Sequence, residues 1–231
     1  MTVRANIVRG ERTGCLADVS YVTAAGAQRL GLVGGSFNPV HCAHLALAQA
    51  ALHSGKIDRA LFLPTGNPPY KLEKLADKRD RLAMVELAVQ GEPRMAVSRV
   101  EIDREGPVYT VDTLRILADE YPGSRLVYIL GADALARLDR WRAIDEVIRL
   151  CGFLVMARPG GDETAVCDEV ARWRARGADM EWSGGPRMEI SSTMVRERAA
   201  AGLSLDGLTP PAVAAYIARH GLYRDKGTNH R

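Results

Sequence analysis

The sequence predicts an α/β protein built on a doubly wound parallel sheet, with a small helical portion at its C-terminal end. Three observations predict it. Short apolar runs alternate with helical stretches along most of the chain, the order that gives parallel strands joined by right-handed crossovers. The strongest run, Arg125 to Gly131, is apolar and β-branched, as a strand covered on both faces must be. A chain of 231 residues, 47% hydrophobic and 26% charged, is long enough for one such domain with a large core.

The elements follow in order. Arg29 to Val33 is a short buried strand that stops at Gly34-Gly35, a glycine turn. A helix starts at His41, presents Leu45, Leu47, Ala48, Ala51 and Leu52 as its apolar face, and ends at Gly55. Ala60 to Pro64 is the second strand, followed by a loop from Thr65 to Lys71. Arg79 to Gln90 is the second helix, Met95 to Ser98 the third strand, and Thr110 to Glu120 the third helix, with Asp112 in its first turn. After the strand at 125–131 come short helices at Ala132 to Leu138 and Ile144 to Arg149. Gly152 to Ala157 is a further strand, ending before Arg158-Pro159-Gly160. The charged, glycine-rich stretch Gly160 to Arg187 reads as the least ordered part. Met188-Glu189-Ile190 reads as a last short strand, Ser192 to Ala201 as a helix, and Pro210 to His220 as a closing helix begun by a proline pair. Residues 1–28 are a weakly patterned N-terminal extension, disordered or outside the working domain; residues 29–223 form the domain and 224–231 a tail.

Composition narrows the function. The formal net charge is +3, and no basic stripe interleaved with aromatics is present, so nucleic-acid binding is not expected. Cys15, Cys42, Cys151 and Cys167 lie far apart with no C-x-x-C pair, which excludes a zinc knuckle and predicts reduced thiols. No apolar stretch approaches the roughly 20 residues needed to cross a bilayer. Arg4, Arg9 and Arg12 are followed by no apolar signal-peptide core. A cytoplasmic protein without a membrane partner is the expectation.

Chemistry concentrates at Gly34-Gly35-Ser36-Phe37-Asn38-Pro39-Val40-His41-Cys42-Ala43-His44. The stretch joins a strand to a helix, at the carboxyl edge of a parallel sheet where ligands bind. Glycines there admit phosphate oxygens to backbone N–H groups, and the helix N-terminus adds a favourable dipole. His41 and His44 are three residues apart, so on a first helical turn they face the same way. Two imidazoles beside a phosphate can donate hydrogen bonds to charge that develops in phosphoryl transfer. Zinc binding fits poorly, because the Glu of H-E-x-x-H and a nearby third ligand are missing. The turn is neither a Walker A loop nor a G-x-G-x-x-G fingerprint.

Gly35 to His44 resembles the (T/S)-x-x-P-x-H-x-G-H signature of class I nucleotidyltransferases, departing at Ala43, where glycine is usual. Alanine is tolerated there if the backbone is helical. Ile190-Ser191-Ser192-Thr193-Met194-Val195-Arg196 resembles the I-S-S-T-x-x-R signature of the same superfamily. Bacterial nicotinate-nucleotide adenylyltransferases are the most similar group. Pro64 to Lys71, Arg79 to Ala88, Tyr109 to Leu114, Gly131-Ala132-Asp133, Trp141, Arg158-Pro159-Gly160 and Gly221-Leu222-Tyr223 also look like theirs.

That resemblance implies a Rossmann-like domain that transfers the adenylyl group of ATP to nicotinate mononucleotide, forming nicotinate adenine dinucleotide and pyrophosphate. It implies His41, His44 and Arg196 as catalytic residues. Gly34, Gly35, Ser36, Phe37, Gly131, Asp133, Ser191, Ser192 and Thr193 would bind ATP. Lys71, Thr110, Trp141 and Arg158 would bind the acceptor. Mg2+ is expected to arrive with ATP rather than in a protein cage. Arg142 stands where several relatives have an aromatic residue, which leaves recognition of the acceptor ring open. Nicotinamide mononucleotide or another phosphorylated acceptor, and a non-catalytic nucleotide sensor on the same fold, are the competing readings. Oligomeric state, monomer or homo-oligomer, stays open.

Overall fold

The computed structural model describes residues 29–67, 75–157, 163–186 and 188–224. Six strands form one parallel sheet: β1 (Arg29–Gly35), β2 (Arg59–Pro64), β3 (Met95–Val97), β4 (Arg125–Gly131), β5 (Gly152–Ala157) and β6 (Met180–Gly184). Their order across the sheet is β3-β2-β1-β4-β5-β6, and every neighbouring pair is parallel. The chain reverses its direction of travel between β1 and β4. Such a switch point opens a crevice beyond the carboxyl ends of the strands.

Side chains alternate across the sheet with the two-residue period of a strand. Val33, Ala60, Phe62, Val127, Ile129, Leu154 and Met156 face one core. There they meet α1 (Cys42–His53), α2 (Lys78–Val89), α7 (Ser192–Ala200) and α8 (Pro211–His220). Leu30, Leu32, Leu61, Leu63, Leu126, Leu130, Phe153 and Val155 face the other. That side is covered by α3 (Thr110–Glu120), α4 (Ala132–Leu135), α5 (Ile144–Leu150) and α6 (Glu163–Ala175). The doubly wound α/β expectation therefore holds, and the C-terminal helices α7 and α8 complete one face. Among the described residues no helix is long and apolar enough to cross a membrane.

Several expected elements differ. β1 runs through Gly34 and Gly35, which pair with Leu63 and Pro64, so the turn begins only at Ser36. The stretch expected to be least ordered holds α6 and the edge strand β6, with Trp173 fully buried. Met188 to Ile190 is not a strand, because β6 already occupies that edge beside β5. The helix expected over 132–138 stops at Leu135, and a 3₁₀ turn follows at Leu138–Arg140. The extension at 1–28 and residues 225–231 lie outside the described residues.

Candidate active site

Beyond β1 the chain passes through Ser36 to Val40 into α1, with Phe37 at φ 43° and a cis Asn38-Pro39 peptide. A turn of this kind leaves carbonyls without ladder partners, and buried carbonyls need donors. Three consecutive ones receive side chains from the far end of the chain. Arg196 Nη1 donates to the Asn38 carbonyl at 2.9 Å, Ser192 Oγ to Pro39 at 2.9 Å, and Thr209 Oγ1 to Val40 at 3.1 Å. The Cys42 N–H donates to the Leu208 carbonyl at 2.9 Å. Each neutral bond contributes about 0.5–1.5 kcal/mol, and the guanidinium bond about 1.5–3 kcal/mol.

The turn is also supported from below. Asn38 is buried, and its Oδ1 accepts from the Ala76 N–H at 3.0 Å and the Tyr223 hydroxyl at 3.1 Å. Arg81, 1% exposed, donates to the carbonyls of Ser36 (2.7 Å), Gly66 (2.9 Å) and Ala76 (3.2 Å). Burial pushes its pKa down, yet an arginine starts so high that it stays charged. A fixed positive charge thus lies directly under the turn.

His41 holds the N-cap position of α1 in an extended conformation, and His44 sits three residues on. Their rings stack with centroids 3.7 Å apart and planes 25° apart. The His41 backbone N–H donates to His44 Nδ1 at 3.2 Å. That nitrogen must therefore accept, which leaves the proton of a neutral His44 ring on Nε2. The Phe37 ring meets His44 edge-on at 5.0 Å and packs on Phe62 at 5.8 Å. Being 1% exposed, the Phe37 ring packs behind His44 rather than on the wall of the switch-point crevice. Ala43 is the second residue of α1, so its helical backbone needs no glycine.

A cavity of about 310 Å³ opens between the ends of β1, β4 and β5. Gly34, His41, Ala43, His44, Gly131, Asp133 and Trp141 are on its wall. A second cavity, about 490 Å³, is lined by Val108, Tyr109, Thr110, Arg137, Arg140, Trp141 and Arg142. Trp141 belongs to both, so one residue separates the two volumes. Tyr128 meets the Trp141 indole edge-on at 5.1 Å. Gly34 has a packing role beyond phosphate approach: a Cβ there would overlap the Tyr128 hydroxyl and lie 2.8 Å from its Cζ. Beneath the first turn of α3, Glu101 is buried and accepts from Thr113 Oγ1 at 3.0 Å. Burial pushes its carboxyl up to about 7.

The residues expected at the site divide into groups. Gly34, His41, His44, Gly131, Asp133 and Trp141 share the first cavity, and Thr110 and Trp141 the second. Ser191, Ser192, Thr193 and Arg196 are not on either wall; they stand behind the 38–40 turn. Ser191 accepts from the Met194 N–H as the cap of α7, and Arg196 Nη2 donates to Thr193 Oγ1 at 3.2 Å. Gly35 and Ser36 form the strand end and the start of the turn. Lys71 and Arg158 lie outside the described residues. Sequence reasoning missed Asn38, Arg81, Tyr128, Arg137 and Arg140. Only the Arg-x-x-Arg spacing just before Trp141 offered a signal. Among the described residues no group of three or more His, Cys, Asp or Glu side chains is placed to hold a metal ion.

A parallel sheet in this order, with a braced histidine turn at its switch point, is the scaffold of a nucleotidyltransferase. The cytidylyltransferase-like family model matches residues 32–198, a span containing both signatures. A probable nicotinate-nucleotide adenylyltransferase of Synechococcus sp. (strain JA-3-3Ab) is 43% identical over 201 residues, 86% of this chain and 96% of that protein. One from Bordetella petrii is 44% identical over 199 residues, covering 85% of this chain and 100% of the relative. The chain belongs to the nicotinate-nucleotide adenylyltransferase family. The solved Plasmodium falciparum nicotinic acid mononucleotide adenylyltransferase complexed with NaAD shares its fold, with TM-score 0.70 at 15% identity over 85% of this chain and 97% of that one.

Proposed function

We propose that this protein transfers the adenylyl group of ATP to nicotinate mononucleotide, giving nicotinate adenine dinucleotide and pyrophosphate, as a cytoplasmic step of NAD biosynthesis. The observation that carries the reading is the meeting of the two signatures, Ser192 on Pro39 and Arg196 on Asn38, behind a stacked histidine pair that faces the switch-point cavity.

A phosphate oxygen of the mononucleotide attacks the α-phosphorus of ATP. The bond from that phosphorus to the α,β-bridging oxygen breaks, and pyrophosphate leaves with the electron pair. No group on the protein is consumed, so the catalytic contribution is positioning and charge neutralisation. The adenosine lies by Gly131 and Asp133, whose carboxylate accepts from ribose hydroxyls. His44 donates from Nε2 and His41 flanks it at the developing charge. Arg196 and the start of α7, with Ser191, Ser192 and Thr193, act on the outer phosphates, drawing on the same N-terminal dipole that favours anions. Trp141 stacks on the pyridine ring, the Thr110 backbone meets the ring carboxylate, and Lys71 and Arg158 serve the acceptor phosphate. The divalent ion, taken as magnesium, belongs to the ATP substrate.

The test supplies ATP and magnesium with nicotinate mononucleotide or nicotinamide mononucleotide and follows pyrophosphate release and dinucleotide formation. Faster turnover of the acid is expected. Equal rates or a preference for the amide would overturn the acceptor assignment, and ATP binding without turnover of either would favour a nucleotide sensor.

A further inference from the structure

We infer that the Arg142 guanidinium selects an acceptor whose ring carries a carboxylate over one whose ring carries a neutral amide. The inference rests on the adenylyltransferase reading and adds to it the residue that sets acid preference.

Arg142 is held at the second cavity from two directions. Its guanidinium carbon lies 4.5 Å from the centroid of the Tyr109 ring, a cation–π contact. Tyr109 is the N-cap residue of α3, immediately before Thr110. On the other side the backbone turns sharply at Ala143, left-handed at φ 52° and ψ 45°. A non-glycine residue keeps that conformation only where its surroundings enforce it. Here the Ala143 carbonyl accepts from the N–H groups of Glu146 and Val147, at 2.9 and 3.1 Å, at the start of α5. The guanidinium, on a largely exposed side chain, therefore lies against the residue that opens α3, whose leading N–H groups add partial positive charge.

The charge balance of this cavity has one sign. Among the described residues, Arg137, Arg140 and Arg142 line it and no carboxylate does. Four acids on the adjoining segments are engaged elsewhere. Asp139 pairs with Arg172 at 2.9 Å and Asp145 with Arg176 at 2.6 Å. Glu146 pairs with Arg115 at 2.6 Å, and Asp112 also faces Arg115, at 2.9 Å. Among the described residues none of the three cavity arginines forms an ion pair. An acceptor that brings a phosphate and a ring carboxylate supplies anions at both ends. An amide supplies only one: its carbonyl can accept from the guanidinium but is uncharged, and its NH2 group is a donor that a guanidinium, itself only a donor, cannot satisfy.

The test is Arg142→Gln, assayed with both mononucleotides. The ratio of kcat/KM for acid over amide should fall at least about tenfold, equivalent to ~1.4 kcal/mol. The loss should lie mainly in KM for the acid, because the ring substituent is remote from the reacting phosphate. kcat/KM for the amide should change less than about threefold. Arg142→Lys, which keeps the charge but not the planar guanidinium over Tyr109, should fall between. Binding measured without ATP, by quenching of intrinsic tryptophan fluorescence, should show the same weakening for the acid alone. A ratio within twofold of the parent overturns the role of Arg142 and leaves the adenylyltransferase reading standing. A uniform loss on both acceptors also overturns it, marking Arg142 as structural. If the parent protein turns over neither mononucleotide, both readings fall together.

Discussion

Replacing Gly34 by alanine would put a methyl group where the Tyr128 phenol already lies. The added Cβ overlaps the hydroxyl and stands 2.8 Å from Cζ, closer than van der Waals packing allows. Neither side yields cheaply. Gly34 is paired with Leu63 in the β1–β2 ladder, and Tyr128 is wedged edge-on against Trp141 at 5.1 Å. Overpacking of this kind costs about 1–3 kcal/mol. For a domain of this size each kcal/mol lowers Tm by about 2–4 °C, so the variant should melt roughly 2–12 °C lower. Tyr128→Phe removes the overlapping oxygen and leaves only the ring contact. The double variant should recover part of the loss, with a coupling of about 1 kcal/mol or more in a double-mutant cycle. Calorimetry gives the stability side, and kcat/KM for ATP the functional side. If Gly34 serves packing alone, activity returns with stability in the double variant. If it also admits the triphosphate, stability returns while KM for ATP stays high. Additive Tm losses, with no coupling, would refute the steric argument.

Two further outcomes are expected. His44→Ala should lower kcat by about 10²–10³, the usual loss when one donor to developing charge is removed, with the melting curve little changed; an unaltered kcat would strike His44 from the catalytic set. Burial raises the Glu101 pKa to about 7, so the folded chain binds that proton more tightly than the unfolded one. The associated stability is complete below the ordinary carboxylate range and drains away as pH rises through 7. Glu101→Gln should therefore flatten the decline in urea midpoint between about pH 5 and pH 8, and parallel pH slopes would contradict this.

Strands β1, β2, β4 and β5 are legible in the sequence because they are buried on both faces, which writes continuous apolar runs. β6 is not, for the complementary reason. At the sheet edge it buries Met180 while Glu181, Trp182 and Gly184 stay exposed, so its composition resembles a loop. α6 buries only Val166, Val170 and Trp173 amid charged residues. Met188 to Ile190 has strand-like residues but no free sheet edge, a fact of tertiary arrangement that no local pattern carries. The site shows the same limit. His41 and His44 announce themselves by spacing, and residues 190–196 by resemblance. The bonds joining them run from side chains to backbone carbonyls, and a carbonyl leaves no mark in a sequence. Arg81 reads as one more arginine on a charged helix, and only the packed fold turns it inward. Arg142 stands out in the sequence, while its seat on Tyr109 emerges only in three dimensions.

Support for the histidine turn comes from residues made very late. Pro39, Asn38 and Val40 are held by partners 153, 158 and 169 positions further along, and Asn38 also by Tyr223, 185 positions away. A chain leaving the ribosome has its glycines and imidazoles early, and Ala76 and Arg81 soon after, yet it lacks every side-chain donor to the 38–40 carbonyls until synthesis is nearly finished. Long-range closures of this sort are the slow part of folding. A translation product interrupted before Ser192 would carry both histidines behind a turn whose 38–40 carbonyls lack all of these donors, so premature termination yields inert protein rather than a partly competent enzyme.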